Sequence, residues 1–203
     1  MSKEQLFIFD TTLRDGAQTQ GVDFSVDDKL KIASALDNLG VDYIEGGWPG
    51  ANPTDTEFFQ KKHSFNNAKL TSFGMTKRTG RSADNDPGLS ALLNSNTPAV
   101  CIVGKSWDFH VDIALGISNE ENLENIKETA KHFVKENKEF MFDAEHFFDG
   151  YKANPSYALS CLKSAFDEGA RWIVLCDTNG GTLPHEVTKI VTEVSKTIPG
   201  KNL

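Results

Sequence analysis

The first apolar run of the chain and the loop after it read Leu6-Phe7-Ile8-Phe9-Asp10-Thr11-Thr12-Leu13-Arg14-Asp15-Gly16-Ala17-Gln18. A short, nearly uninterrupted apolar run is typical of a parallel strand that is buried on both faces. The loop lacks the Gly-x-Gly-x-x-Gly pattern that a nucleotide-binding open sheet usually carries after its first strand. This stretch therefore favours a barrel over an open, doubly wound sheet.

The alternation of apolar runs with helical patterns continues along the chain. Six such runs occur, at residues 6–9, 41–44, 70–73, 99–103, 139–142 and 171–175. Their starts are about 33 residues apart and a complete barrel typically has about 250 residues, so a seventh strand is due near residue 204. We predict an α/β protein in which residues 1–203 form one domain and supply the first six βα units of a TIM (β/α)₈ barrel, ending before the seventh strand. A complete six-stranded open sheet is the alternative.

Local signals predict where the helices begin. Ser25 with Asp28, and Ser118 with Glu121, have the spacing of a capping box. Proline at the first helical position opens three more helices, at Pro53, Pro155 and Pro184. In the first helix, residues 26–39, one apolar face is predicted from Val26, Leu30, Ala33, Leu36 and Leu39. A short helix is expected within residues 84–94.

Composition narrows the class of protein. The 203 residues are 38% hydrophobic and carry a net charge of −8, which argues against nucleic acid or an anionic membrane as a partner. Neither a membrane-spanning run nor a secretory signal is found in the sequence. The three cysteines are far apart and odd in number, as expected of thiols in a reducing compartment. We therefore expect a cytoplasmic protein.

Acidic residues follow four of the six predicted strands. They are Asp10 and Asp15, Glu45, Asp143 and Glu145, and Asp177. In a barrel the carboxyl ends of all strands meet on one face, so these carboxylates are expected to converge there, without lysine neighbours and with Arg14 as the fixed positive charge. Carboxylates brought this close repel one another unless a cation lies between them. Because carboxylate oxygens are good ligands for divalent metals, that cation is expected to be a divalent metal ion. The alternative is that each acid merely caps the next helix.

Gly104-Lys105-Ser106, after the fourth strand, has the ending of a phosphate-binding P-loop. The glycine that this motif requires five residues earlier is replaced by Ala99, so a nucleoside triphosphate site is not expected there. Lys105 could instead meet a carboxylate or a phosphate of coenzyme A.

The opening stretch, residues 9–18, resembles the signature of the 2-isopropylmalate synthase, homocitrate synthase and citramalate synthase family. These are metal-dependent barrel enzymes that also include hydroxymethylglutaryl-CoA lyase. The motifs at residues 43–53, 103–108, 143–150 and 176–181 resemble citramalate synthases in particular. The resemblance extends over the whole chain but not over the whole length of the family. It implies that residues 1–203 are an N-terminal, catalytic, pyruvate-carboxyltransferase-like barrel domain.

The resemblance also implies roles for individual residues. Asp15 would be a metal ligand for Mg²⁺, Mn²⁺ or Zn²⁺, while the family's His-x-His pair, on the seventh strand, is absent from this sequence. Arg14 would stabilise negative charge that develops on the substrate, and Glu45 would orient Arg14. Glu145 would transfer a proton or orient the base, and burial beside other carboxylates is expected to raise its pKa. The expected substrate-binding residues are Gln18, Thr178 and His146.

The activity implied is a Claisen-type condensation of acetyl-CoA with a short 2-oxo acid. Pyruvate, which would give citramalate for branched-chain amino-acid (isoleucine) biosynthesis, is the expected acceptor. The alternatives are 2-isopropylmalate or homocitrate synthesis, a hydroxymethylglutaryl-CoA-lyase-like cleavage, or a non-catalytic partner subunit. The partners expected are small-molecule substrates and, at full length, a second copy in a homodimer. Residues 1–203 alone are expected to be inactive, and poorly soluble or oligomeric.

Overall fold

The computed structural model describes residues 5–203. Six strands form one sheet in which each strand lies beside its sequence neighbours. They are β1 (Phe9–Asp10), β2 (Tyr43–Gly47), β3 (Lys69–Met75), β4 (Ala99–Lys105), β5 (Glu139–Glu145) and β6 (Trp172–Leu175). β1 runs parallel to β2, β2 to β3 and β5 to β6. The predicted succession of six βα units is confirmed.

Eight helices connect and follow these strands within residues 5–203. They are α1 (Val26–Leu39), α2 (Pro53–Gln60), α3 (Pro87–Asn94), α4 (Asp108–His110), α5 (Asn119–Lys135), α6 (Phe147–Ala153), α7 (Pro155–Phe166) and α8 (Pro184–Val194). Both predicted capping boxes are present, with the Ser25 hydroxyl accepting from the Asp28 N–H and the Ser118 hydroxyl from the Glu121 N–H. Helix starts are therefore fixed by residues close in sequence. No helix of residues 5–203 has the length and apolar character needed to cross a bilayer.

The chain divides into two compact units, which are described separately. The first contains the residues up to Gly74 and Ser90–Cys101, and the second contains Met75–Leu89 and Ile102–Leu203. The core of the first unit is formed by side chains of the β1 loop, α1, β2, α2 and β3. Its buried members are Leu13, Ala33, Val41, Ile44, Phe58, Phe59 and Leu70.

The buried face of α1 differs from the predicted one. Leu39 is 77% exposed, whereas Asp37 is buried. The Asp37 carboxylate accepts the backbone N–H groups of Asn66, Asn67 and Ala68 at 2.8–2.9 Å. The N–H groups of Ala68 and then Asn66 hold the pKa of Asp37 below its usual value. The helix thus uses a charged side chain, not an apolar one, to fix the chain that enters β3.

The second unit is built around β5. Phe133 of α5 stacks on Phe140 of β5, with ring centroids 6.1 Å apart. α7 packs with the side chains of Ala158, Leu162 and Ala165 fully covered. On β4, a Cβ atom at Gly104 would lie 2.6 Å from the Phe142 ring, so only glycine fits beside this aromatic side chain.

Several predicted boundaries were wrong. β1 is limited to Phe9 and Asp10, and not residues 6–9, because only these two residues form the ladder with β2. Glu45, Asp143 and Glu145 lie inside strands and not after them. Two helical segments were missed: α6, and α4 with the wider turn Val111–Leu115 that continues it.

Candidate active site

Arg14, in the loop after β1, is held by three neighbours in the first unit. Its Nε donates to Glu45 Oε2 at 2.6 Å and its Nη1 to Asp15 Oδ1 at 3.1 Å. The guanidinium carbon lies 3.8 Å from the centroid of the Phe73 ring. Two carboxylates and one aromatic face fix the position and the plane of the guanidinium. The expected contact with Glu45 is therefore present, and Asp15 lies beside the same side chain.

Glu45 comes from the middle of β2 and has no exposed surface. A buried carboxylate is costly without a cation, so Arg14 and Glu45 stabilise each other's charge. The two glycines after Glu45 allow α2 to approach β2 closely. A Cβ atom at Gly47, where φ is 143°, would lie 2.5 Å from Cγ of Asp55.

A second buried ion pair holds the segment after β2. The ammonium of Lys29, from α1, contacts the carboxylate of Asp55, from α2. The other Asp55 oxygen accepts the Trp48 N–H at 2.8 Å and Asn52 Nδ2 at 2.9 Å. The Trp48 ring meets the Phe73 ring edge-on, with centroids 5.6 Å apart. Phe73, on which Arg14 stacks, is thus itself in contact with a second aromatic ring.

A cavity of about 350 Å³ lies beside Arg14 in the first unit. Gln18, exposed at the end of the short 3₁₀ turn Gly16–Gln18, lines this cavity together with Trp48 and Asp55. The position is compatible with contact to a small ligand. The substrate-binding role of Gln18 stays a prediction.

Glu145, the last residue of β5, belongs to the second unit. Its carboxylate contacts the ammonium of Lys105, the last residue of β4. The Ser106 hydroxyl donates to the Glu145 carbonyl oxygen at 2.7 Å. The expectation that Lys105 meets a carboxylate is confirmed. The assumption that the acids at the strand ends lack a lysine neighbour was wrong, because Lys105, at the end of β4, lies beside Glu145 at the end of β5.

His146 follows β5 with a left-handed backbone, at φ 54°. Its N–H donates to the Thr178 hydroxyl at 2.8 Å. Its ring lies 3.3 Å from a carboxylate oxygen of Asp149 and meets the His110 ring edge-on, with centroids 4.5 Å apart. Thr178 thus holds the backbone at the end of β5. The expected roles of Thr178 and His146 in substrate binding stay predictions.

The remaining acids at strand ends have structural contacts. Asp177 accepts the backbone N–H of Thr182 at 3.0 Å and its hydroxyl at 2.8 Å, which closes the turn before α8. The hydroxyl and then the N–H of Thr182 lower the pKa of Asp177. Asp143 lies within β5, 2.5 Å from the Cys176 sulfur. Asp177 therefore has a structural contact in the turn before α8, but it does not cap that helix, whose N-cap is Leu183.

The predicted metal site is not assembled by the residues described. Among residues 5–203, no three His, Cys, Asp or Glu side chains group as metal ligands. Asp15, the one expected ligand in this chain, has a side chain that is 64% exposed and is paired with Arg14. A single exposed carboxylate does not hold a divalent cation, since stable sites need several ligands. The residues present therefore do not fit a complete metal site.

The expected site residues form two groups. Arg14, Asp15 and Glu45 lie together in the first unit, and Glu145, His146 and Thr178 lie together in the second. That Glu145 shares a site with Asp15 stays a prediction. Sequence reasoning missed the aromatic support of Arg14 by Phe73 and the Asp149 contact of His146. The three-residue spacing of His146 and Asp149, just after a strand, was a signal for the second.

The chain belongs to the HMGL-like family, which it matches over residues 5–203. The (R)-citramalate synthase of Aquifex aeolicus (strain VF5) is 54% identical over 202 residues, which cover 98% of this chain and 38% of that protein. Four other (R)-citramalate synthases are 46–51% identical. The 2-isopropylmalate synthase of Sediminispirochaeta smaragdinae (strain DSM 11293 / JCM 15392 / SEBR 4228) is 33% identical, over 95% of this chain and 37% of that protein. The chain thus spans well under half the length of these relatives.

Solved structures show the same fold. The crystal structure of hydroxymethylglutaryl-CoA lyase from Pseudomonas aeruginosa matches with a TM-score of 0.79 at 17% identity, covering 98% of this chain and 66% of that one. At this identity the likeness concerns the fold alone. It confirms the predicted class: the chain forms part of a TIM barrel.

Proposed function

We propose that the protein containing this chain condenses acetyl-CoA with pyruvate to give citramalate. The observation that carries the proposal is the arginine cluster after β1, with Arg14 fixed by Glu45 and Asp15. It occurs in a chain that is 54% identical to an (R)-citramalate synthase over 98% of its length. Because the chain is 38% of the length of that relative, the activity and the substrates are proposals for the whole protein.

Arg14 stabilises the negative charge that develops on oxygen as the new carbon–carbon bond forms. A guanidinium already held in place by Glu45 and Phe73 needs no reorganisation when that charge appears, which is the main advantage of a preorganised site. Glu45 acts through Arg14, because it is fully buried and reaches the guanidinium directly. Gln18 contributes to the wall of the adjoining cavity, as a neutral group that can bond a substrate oxygen.

In the second unit, we assign Glu145 to proton transfer or to orienting the base, as expected from the sequence. Lys105, at the end of β4, contacts the Glu145 carboxylate and fixes its position. Thr178 and His146 complete the group that would bind substrate. A cytoplasmic location and a homodimer stay predictions.

A divalent metal and acetyl-CoA are the proposed cofactor and co-substrate, on the strength of the family resemblance. A divalent cation would supply Lewis-acid chemistry toward the keto group of a 2-oxo acid. Asp15 is the ligand that the resemblance assigns to this chain, and among residues 5–203 no group of three His, Cys, Asp or Glu side chains forms a site around a metal. Whether the metal is Mg²⁺, Mn²⁺ or Zn²⁺ is decided by activity after removal and replacement of metal.

The test is an assay of the protein at its full natural length. Acetyl-CoA is supplied with pyruvate, with 2-oxoisovalerate, with 2-oxoglutarate or with no 2-oxo acid, and released CoA is measured together with the product by mass spectrometry. We expect release that depends on pyruvate and yields citramalate. Preference for either other 2-oxo acid, cleavage of hydroxymethylglutaryl-CoA, or no activity with any substrate would contradict the proposal.

A further inference from the structure

Asp55, in the first turn of α2, is a buried carboxylate whose two oxygens have different partners. One oxygen contacts the ammonium of Lys29 from α1. The other accepts the Trp48 N–H at 2.8 Å and Asn52 Nδ2 at 2.9 Å. The backbone between β2 and α2 is therefore held by a side chain, and the place of Trp48 depends on where that carboxylate lies.

Strand β2 is built to admit this carboxylate. A Cβ atom at Gly47 would lie 2.5 Å from Cγ of Asp55, and one at Gly46 would lie 2.6 Å from the Phe58 ring of α2. Glycine within a strand is unfavourable, because it loses more conformational entropy on folding than other residues. A buried ion pair adds little to stability, since desolvation of the charges offsets their attraction. The stability of the fold therefore does not explain this arrangement, whereas a fixed Trp48 backbone does.

Trp48 is linked to Arg14 by a single aromatic ring. The Trp48 ring meets the Phe73 ring edge-on, with centroids 5.6 Å apart, and the Arg14 guanidinium carbon lies 3.8 Å from the Phe73 centroid. Trp48 and Arg14 also line the same cavity. A guanidinium stacked on a ring takes its plane from that ring. A shift of Trp48 would therefore release Phe73 and change the plane of the guanidinium.

We propose that Asp55 is a positioning residue for Arg14, acting through Trp48 and Phe73, and this rests on the proposed function. Lys29 is the cation that allows the Asp55 carboxylate to be buried. Glu45 fixes one edge of the guanidinium, and the contacts that begin at Asp55 fix its face. Because Arg14 acts on charge that develops in the transition state, a misplaced guanidinium should lower kcat and leave KM unchanged.

Replacing the whole ion pair separates positioning from a structural role. In the full-length protein, Lys29→Met with Asp55→Leu exchanges paired charges for apolar side chains, a change that buried ion pairs often tolerate without loss of stability. It also removes the acceptor of the Trp48 N–H. We expect a Tm close to that of wild type and a kcat about 10- to 100-fold lower, with KM for pyruvate and acetyl-CoA within about twofold. Asp55→Asn alone, the milder second variant, should lower kcat about tenfold.

A double-mutant cycle with Arg14→Lys tests whether Asp55 acts through the guanidinium. In the Arg14→Lys background, the same changes at Lys29 and Asp55 should alter kcat by less than about twofold. The matched control is Asp37→Asn. Asp37 is also a buried carboxylate of the first unit that accepts backbone N–H groups, but those groups belong to the chain that enters β3. This control should lower Tm and keep kcat within about twofold of wild type.

Hydrogen exchange at Arg14 separates this inference from the proposed function, because it needs no turnover. The Nε–H, bonded to Glu45 at 2.6 Å, should give a slowly exchanging ¹H–¹⁵N signal that is assigned by its loss in Arg14→Lys. The changes at Asp55 should speed this exchange at least about tenfold, and Asp37→Asn should not.

Four outcomes would overturn the inference: an unchanged exchange rate, a kcat within twofold of wild type in the Asp55 variants, an equal loss of kcat in the Arg14→Lys background, or a loss confined to KM. A wild-type protein without pyruvate-dependent turnover would overturn the proposed function instead. The exchange rate of the Arg14 Nε–H would then still decide whether Asp55 positions Arg14.

Discussion

Replacing Arg14 with lysine keeps a positive charge after β1 but removes the planar fork. The 2.6 Å contact from Nε to the buried Glu45 is a charge-assisted hydrogen bond, worth about 1.5–3 kcal/mol. The stack on Phe73, at 3.8 Å, adds about 0.5–1 kcal/mol. A lysine ammonium can neither donate to Glu45 in the direction of Nε nor lie flat on the Phe73 ring as a planar guanidinium does. These contacts fix the guanidinium, so an ammonium that lacks them is misplaced with respect to the reacting oxygen. We therefore expect a loss of about 2.7–4 kcal/mol of transition-state stabilisation, as when one preorganised donor is removed, or about 100- to 1000-fold in kcat/KM.

The assay measures kcat/KM for pyruvate from CoA release by the full-length protein. Arg171→Lys is the matched control, because Arg171 also stacks on an aromatic ring, with its guanidinium carbon 3.7 Å from the centroid of Trp172. The control should stay within about twofold of wild type, and thermal unfolding should show that both variants fold. If Arg14→Lys keeps more than about a tenth of the wild-type kcat/KM, a barrier change below about 1.4 kcal/mol, Arg14 does not stabilise the transition state.

Three further changes test the packing and charge of the fold. Gly47→Ala should lower the free energy of unfolding, measured by denaturant titration, by about 2–4 kcal/mol, because alanine is strained at φ 143° and its Cβ would meet the Asp55 carboxyl group. Gly21→Ala is the control: at φ 84° with open space around it, this variant should lose only about 1–2 kcal/mol. Asp37 has a lowered pKa in the folded state, so its stabilisation is present above the unfolded value and lost as the pH falls below about 4. Asp37→Asn should therefore reduce the decrease in Tm between about pH 5 and 3, and an equal decrease would contradict this. Lys105→Met should lower the free energy of unfolding by about 1–3 kcal/mol, because Glu145 loses its cation. This range lies between the values for exposed and buried ion pairs. Lys105→Arg should keep most of the wild-type free energy of unfolding.

Helix starts could be predicted from the sequence because the interactions that fix them are local. Ser25 bonds Asp28, and Ser118 bonds Glu121, three residues away in each case. The succession of strands was also predictable, since each buried strand is an apolar run of its own. Local chemistry and the fold agree at these positions.

The contacts of the candidate site could not be predicted in the same way. Lys105 and Glu145 are 40 residues apart, and which cation meets which acid depends on strand register. Glu45 was placed after its strand because an acid was taken to end an apolar run, whereas its partner, Arg14, allows it to be buried within β2. α6 was missed because it starts directly after the left-handed His146, with no capping side chain. For the two ion pairs, a partner distant in sequence decides what the local sequence leaves open.

The strand order has a consequence for how the chain is made. Phe9 pairs with Tyr43, Tyr43 with Lys69, and Met141 with Trp172, so each of these pairings joins a strand to the next one synthesised. At about 5–20 residues per second, a ribosome delivers each new strand within about 2–7 s of the one before it. Short sequence separations also keep the entropy lost on closing each loop small. The sheet can therefore grow by one strand at a time during translation, with the most recent strand as the template for the next.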